Sequence, residues 1–491
     1  MPSSTNQTSF LSTRRGKLTL ALVCLAGFLD FIDTTIVNVA LPSIRQPLGF
    51  SEQSLQWVVT GYLLTYGGFL LLGGRGADLL GRRRLLIAGT SLFGVSSVAG
   101  GLAGSEGMLI AARLAQGLGA AMMTPAALSI LTTSFTEGAD RVKALGVWSG
   151  TIPLASAVGV LAGGLLSQGP GWRWVFFVNL PACAAVIAGA TKLLPADRAR
   201  AGKDIDVLGA VLPTASAVAL VYALVNAPDV GWGSARTIGL LAAAAVLLLA
   251  FVYKELLTPD PLFPLSIFQI KGLAAADATQ VIAQAGFLSL FFFITLYMQN
   301  VLHMSPIEAG AAYIPVTIGV GISSGISTHL LSRIGSRSLI VAGTLIGATG
   351  VLWLSRIPAD GSYVADVLPG LVVMALGLGA VFVGVQNAAN TGVPEEQAGL
   401  AAALISASAT LGGALGLAIL SAIATSRTHQ LLAAHAPHPV ALASGFGHAL
   451  LACSLFLVAA AVIAARTTNT RGHGSSSSAQ IPSAEPVFDA A

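Results

Sequence analysis

The 491-residue sequence predicts an all-α polytopic membrane protein, on three observations. Charged residues make up only 9% of the chain and hydrophobic residues 54%; a soluble domain averages about 25% charged residues, so this chain cannot cover a water-facing surface. Mean hydropathy is +0.80, and apolar runs of about 20 residues, enough to cross a ~30 Å hydrocarbon core, recur from end to end. The runs are continuous rather than alternating, which predicts helices with internally satisfied backbones and not barrel strands.

Fourteen spans follow in order: 18–41, 54–74, 85–104, 108–130, 144–166, 174–194, 207–227, 237–256, 273–300, 308–329, 338–356, 366–386, 400–424 and 447–466. The first imitates a signal peptide, because Arg14, Arg15 and Lys17 precede it. Asp30 and Asp33 interrupt it and it lasts to Leu41, too long for a cleaved apolar region, so it is read as a retained helix. A glycine- and arginine-rich loop ends the second span and opens the third. An even count puts both termini on one side. With the termini in the cytoplasm, about 19 of the 25 Lys and Arg face inward by the positive-inside rule. Arg45, Arg173, Arg236, Arg356 and Arg427 face outward, and Arg113 lies within a span.

The expected organisation is a cytoplasmic segment 1–17, a six-helix bundle 18–194, two inserted helices with linkers over 195–272, a second six-helix bundle 273–466, and a disordered cytoplasmic tail 467–491. Ser475 to Ser478, Pro482 and Pro486 give that tail no apolar face. The net charge of +4 fits basic cytoplasmic loops rather than a nucleic-acid partner. Cys24, Cys183 and Cys453 fall inside apolar runs and read as core residues. An excess of Arg over Lys with abundant Ala and Gly suggests a GC-rich bacterial genome, hence a bacterial plasma membrane.

An internal repeat supports the two bundles. Gly81 to Thr90 and Gly335 to Thr344 both read G-x-R-x-L-x-x-A-G-T, at the turn into the third and eleventh spans. Gly159, Gly163 and Gly164 in the fifth span are echoed by Gly412, Gly413 and Gly416 in the thirteenth. Parallel six-helix repeats of this kind are a transporter architecture.

The candidate chemistry lies in the first span. Asp30, Thr34 and Asn38 are spaced i, i+4, i+8, with Asp33 beside them, so one stripe of that helix is polar. A carboxylate at mid-membrane costs at least ~2.5–3.5 kcal/mol on insertion scales. Burial favours the protonated form of a carboxylate, and a nearby cation the ionised form. Such a group can alternate between a proton and a cationic substrate. Asp33 is the expected coupling residue, with Asp30 sharing or tuning the site. Counted inward at ~1.5 Å per residue, Arg113 of the fourth span lies near the depth of Asp33, so the two can meet directly or through water. Gly117 and Gly119 permit close helix packing.

In the loop, Gly74 and Gly81 allow a tight turn, and Asp78 with Arg82 and Arg83 can form a charge network that locks one conformation; the arginines also hold the loop inside. Gly146-x-x-x-Gly150 and Gly159-x-x-x-Gly163-Gly164 permit close helix approach, as static packing or as a sliding seam. Gln116, Gln280, Gln284, Gln299, Gln386, Asn387 and Asn390 can line a cavity or join helices. Asp277 is read as an interfacial carboxylate, with a second proton site as the alternative. The sequence contains no GxxxxGK[ST] loop and no His/Cys/carboxylate cluster at metal spacing. The expectation is therefore no cofactor, no metal and no catalysis, with a gradient as the energy source.

These motifs resemble the major facilitator superfamily, specifically its fourteen-helix drug:proton antiporter branch, over roughly residues 18–465. The first-span motif L-D-x-T-I-V-N-V-A-L-P is matched from Ile32 to Pro42, with Asp33 as its acid. The loop motif is matched at Gly74, Ala77, Asp78, Gly81, Arg82 and Arg83. The fourth-span R-x-x-Q-G is matched at Arg113, Gln116 and Gly117, and the fifth-span antiporter motif at Gly159, Gly163 and Gly164. Trp172 to Pro181 also looks like this branch. Val160 stands where the antiporter motif has proline, and Gly76 where the loop motif has leucine. The resemblance implies a monomeric, proton-coupled exporter of antibiotics, drugs or similar lipophilic compounds, with protons and membrane lipid as its other partners. The alternatives are transport of one specific metabolite in either direction and, more distantly, a membrane sensor or enzyme.

Overall fold

The structure is a computed structural model, which describes residues 10–51, 53–135, 139–195, 206–258, 261, 265–270, 272–390, 393 and 398–469. Every predicted span falls on a helix: α1 Arg14–Leu48, α2 Trp57–Leu80, α3 Arg82–Gly101, α4 Glu106–Ser134, α5 Ala139–Gln168, α6 Asn179–Leu193, α7 Val207–Val230, α8 Ala235–Leu257, α9 Leu273–Asn300, α10 Ile314–Ile334, α11 Ser336–Leu354, α12 Leu368–Asn390, α13 Ala398–Ala433 and α14 His438–Ala464. Short helical turns, Trp174–Phe177, Pro306–Ala311 and Tyr363–Val367, lead into α6, α10 and α12.

Among the described residues, 12 helices are long and apolar enough to cross a membrane. That set omits α3, where Arg82 to Arg84 and many Gly, Ser and Thr dilute the apolar run. It also omits α5, which contributes a shorter apolar stretch, Leu154–Gln168. Several helices outrun the predicted spans. Thr13 caps α1 before Arg14, and Gly49, at φ 75°, ends it well beyond Leu41.

Helix neighbours repeat between the halves. In the first half α1 packs on α5 and α6, α4 on α2 and α3, and α3 on α6; in the second α9 packs on α13 and α14, α12 on α10 and α11, and α11 on α14. The matched turns carry the same device. Gly81 at φ 103° and Gly335 at φ 83° adopt a conformation that a side chain would strain. Two residues on, Arg83 Nη2 donates to the carbonyl of Thr191 at 2.9 Å, and Arg337 Nη1 to that of Ala465 at 3.4 Å. Each arginine thus meets an orphan carbonyl where α6 or α14 ends, and its charge also suits the helix dipole.

The halves meet where α2 packs on α13, and α5 on α10 and the Pro306–Ala311 turn. α7 lies against α2 and α13, and α8 against α7. Lys254 of α8 bonds both Asp206, which caps α7, and Glu255, clamping that hairpin. At the end opposite the termini, Gln299 Nε2 donates to the Val39 carbonyl at 2.9 Å. Nearby, Gly164 leaves no room for a Cβ, which would lie 2.7 Å from Ile307 Cα, and a Cβ on Gly310 would lie 2.6 Å from the Val160 carbonyl. Val160 therefore occupies this seam through its backbone.

Candidate functional site

Asp33 and Arg113 meet directly, at 2.5 Å between Oδ2 and Nη1, with side chains 0% and 1% exposed. Two unit charges so far from water persist only with further hydrogen bonds to support them, and several are present. Arg113 Nη1 also donates to Gln116 Oε1 at 2.7 Å, and its Nε to the Val58 carbonyl at 2.7 Å. Asp33 Oδ1 accepts from Gln116 Nε2 at 2.7 Å and from Asn179 Nδ2 at 2.9 Å. The Ser97 hydroxyl accepts from both amides, at 3.1 and 3.4 Å, and donates to the Phe93 carbonyl.

Five helices build this cluster: α1, α2, α3, α4 and α6. Glycines let them approach. A Cβ on Gly117 would strike the Tyr62 carbonyl and Thr65 of α2, and one on Gly119 would lie 2.7 Å from the Phe93 backbone of α3. α4 is therefore clasped between its neighbours, with Arg113 and Gln116 aimed at α1.

Asp30 forms a second arm. Its Oδ1 accepts from the Tyr62 hydroxyl and its Oδ2 from Thr124 Oγ1 at 3.1 Å. The Tyr62 ring lies 4.4 Å from Arg113 Cζ, a cation–π distance. One tyrosine thus touches both the cation that holds Asp33 and the second carboxyl group. Among the described contacts Asp30 has no direct bond to Arg113; it is linked through Tyr62.

The remaining expected residues are more scattered. Thr34 donates to the carbonyl of Asp30 on its own helix at 3.3 Å, and the side-chain oxygen of Asn38 is buried without a partner among the described residues. Gln280 of α9 is buried and Gln284 half-buried; on α12 Gln386 is exposed and Asn387 half-buried. None of these four joins the Asp33 cluster. Gly74, expected in the loop, lies inside α2, which runs on to Leu80 and leaves the turn to Gly81; a Cβ on Gly74 would lie 4.0 Å from Pro125 of α4. The side chain of Asp78 and that of Asn390 lie outside the described residues. Asp277, expected at the interface, is instead 5% exposed, because α13 covers it and brings the Ser408 hydroxyl to 3.1 Å.

In α5 the glycines divide. A Cβ on Gly159 would collide with Thr35, and one on Gly163 would lie 2.7 Å from the Ile36 carbonyl, both on α1, whereas Gly146 and Gly150 face open space. The echo in α13 is tight as well: Gly412 abuts Val281 and Gly416 abuts Ala285, both on α9.

Tyr62, Ser97, Thr124 and Asn179 were not among the residues the sequence singled out for a role. Asn179 offered the clearest signal, as an amide inside the Trp172–Pro181 stretch at the start of an apolar span. The rest resemble ordinary polar residues of a membrane helix.

Residues 23–417 match the Major Facilitator Superfamily. The chain is 38% identical over 451 residues to the puromycin resistance protein pur8 of Streptomyces alboniger, covering 91% of this chain and 89% of that one. It is 38% identical over 467 residues to the cephamycin export protein CmcT of Amycolatopsis lactamdurans, covering 94% of each. In fold it is similar to the crystal structure of a bacterial homolog of the human lysosomal transporter Spinster in an inward-facing, unoccupied conformation, with a TM-score of 0.65, 17% identity, and 92% and 97% of the two chains covered.

Proposed function

Because the chain belongs to the major facilitator superfamily, we propose that it is a proton-coupled antiporter that exports antibiotics or similar small lipophilic compounds across a bacterial plasma membrane. The observation that carries the coupling is the sealed Asp33–Arg113 pair. It is a carboxylate at the centre of five helices, bonded to a cation that a rocking motion can withdraw. The antibiotic resistance and export named in the relatives' descriptions supports the substrate class.

In this reading fourteen helices cross the membrane with both termini in the cytoplasm. Residues 18–194 and 273–466 form two six-helix bundles, in keeping with their matching helix contacts. Residues 195–272 add a hairpin along the α2–α13 seam, and the monomer is the working unit. The seam at Gln299, Gly164 and Gly310 then closes the outer side, so substrate enters from the cytoplasm or inner leaflet. Rocking opens the outer side and parts Arg113 from Asp33. The bare carboxylate takes a proton, since burial penalises its charge, and substrate leaves outward. The protonated carrier returns, and Arg113 displaces the proton into the cytoplasm. Asp78 with Arg82 and Arg83 stabilises one gate state. No cofactor takes part; a charge crossing 100 mV gains ~2.3 kcal/mol, and the proton gradient supplies the work.

The test is proton-driven uptake of puromycin and of a panel of dyes and antibiotics into inverted membrane vesicles. Uptake that collapses with a protonophore supports the reading; uptake indifferent to the gradient refutes the coupling. Transport of a single compound from the panel favours the metabolite-specific alternative.

A further inference from the structure

Asp277 is a buried carboxyl group that the Asp33 network does not use. It lies on the second turn of α9, about 6 Å from the helix start at ~1.5 Å per residue. Its side chain is 5% exposed. One oxygen accepts from Ser408 Oγ of α13 at 3.1 Å, and the other, Oδ2, is buried with no hydrogen-bond partner among the described residues. A buried carboxylate ordinarily collects a cation or several donors, because an unmet charge in a low-dielectric setting is costly. Asp33 shows what that looks like in this chain. Asp277 has one hydroxyl, and a neutral carboxylic acid is the form that so sparse a setting fits.

No described charge offsets it. α9 packs on α13, α14 and α12, and on α1 and the Pro306–Ala311 turn towards its other end. The titratable groups of these elements lie elsewhere. Arg427 and His429 are near the far end of α13, and His438 begins α14 at that end. Cys453 of α14 packs beside Gly286, and His448 is exposed. Glu308 caps its own short turn beyond the far end of α9, and Asp30 and Asp33 of α1 are engaged in the first-half network. Arg466, just past α14, is exposed. Lys271, Glu395 and Glu396 lie outside the described residues.

We propose that Asp277 is a second proton-binding site, set between α9 and α13 and exchanging with water on the face that carries the termini. Its position as a carrier of transported protons rests on the antiporter reading above. The step is simple: the O–H bond at Oδ2 breaks, the proton passes to water, and the carboxylate left behind keeps the electron pair and the Ser408 hydrogen bond. The second half would then hold its own proton, separate from the one that Asp33 takes up.

The experiment is infrared difference spectroscopy of the full chain reconstituted in lipid, stepped in pH across the neutral range in H2O and D2O. Wild type is expected to show a protonated-carboxyl carbonyl band, shifted in D2O, that is replaced by carboxylate bands as pH rises. Asp277→Asn is expected to lose it, and Asp277→Glu to keep an equivalent band. Ser408→Ala removes the one hydrogen bond to the ionised form, so its transition is expected at higher pH. Spectra of Asp277→Asn identical to wild type, or a Ser408→Ala transition at the wild-type pH, overturn the assignment. A folded Asp277→Glu protein without the band does so too. The titration needs no transported compound. Vesicles that move nothing with the gradient would therefore sink the antiporter reading and leave this one standing.

Discussion

Asn179 Nδ2 lies 2.9 Å from Asp33 Oδ1, joining α6 to α1 across 146 residues of sequence. The same amide reaches Ser97 of α3 at 3.4 Å. Three helices are thereby held around one carboxylate, and of the two Asp33 oxygens the amide donates to the one that Arg113 leaves to others.

Asn179→Ala is expected to lower stability by about 1–3 kcal/mol, the cost of leaving a buried polar group less well satisfied. Thermal unfolding of the purified variant measures the loss, and wild-type stability would mean that the amide contributes little.

Asp33→Asn is expected to abolish proton-driven uptake while the protein remains folded, because an amide still accepts from Arg113 but cannot bind and release a proton. Gradient-driven uptake in vesicles, beside size-exclusion profiles of the purified protein, checks both halves. Wild-type uptake by this variant would remove Asp33 from the mechanism.

Arg113→Ala is expected to cost about 3–5 kcal/mol, the penalty for stranding a buried partner charge. The double variant Arg113→Ala with Asp33→Asn is expected to recover much of that stability and none of the transport. Thermal unfolding of the two proteins measures the difference, and equal losses in both would mean that the charge pairing contributes little. Arg113→Lys cannot reproduce the fork that binds Val58, Asp33 and Gln116 together, and is expected to fall between wild type and Arg113→Ala in stability.

The two glycine pairs of α5 are expected to respond oppositely. Gly163→Val drives a side chain into the α1 backbone and is expected to prevent accumulation of folded protein. Gly146→Ala and Gly150→Ala meet open space and are expected to leave folding and uptake near wild type. Expression and uptake of the three variants decide it; equal damage in all three would contradict the packing described.

The proposed fourteen-crossing arrangement would place the turn between α7 and α8 outside. Gly233, exposed in that turn, is expected as Gly233→Cys to react with a membrane-impermeant maleimide added to intact cells. The native cysteines are buried and are expected to stay silent. Labelling only after the cells are opened would reverse the orientation.

The sequence alone determined the helices, the glycine turns and the chemical types at the site. Helix formation in lipid depends on local runs of apolar residues, since each backbone must satisfy itself, so spans such as those of α4 and α12 could be read directly. Asp33 and Arg113 were legible because charge at depth is costly and their depths along two helices, ~12 and ~7 Å at ~1.5 Å per residue, were close enough for the two to meet directly or through water. Tertiary structure decided what a linear pattern does not encode, namely the rotation and closeness of each helix. It chose Tyr62, Ser97 and Asn179 to complete the network, because hydrogen bonds depend on which faces of distant helices meet. It made Gly159 and Gly163 tight while leaving Gly146 and Gly150 open, although both pairs have the same spacing. It also buried Asp277, expected at the interface, because α13 covers the first turns of α9, a contact between segments 131 residues apart.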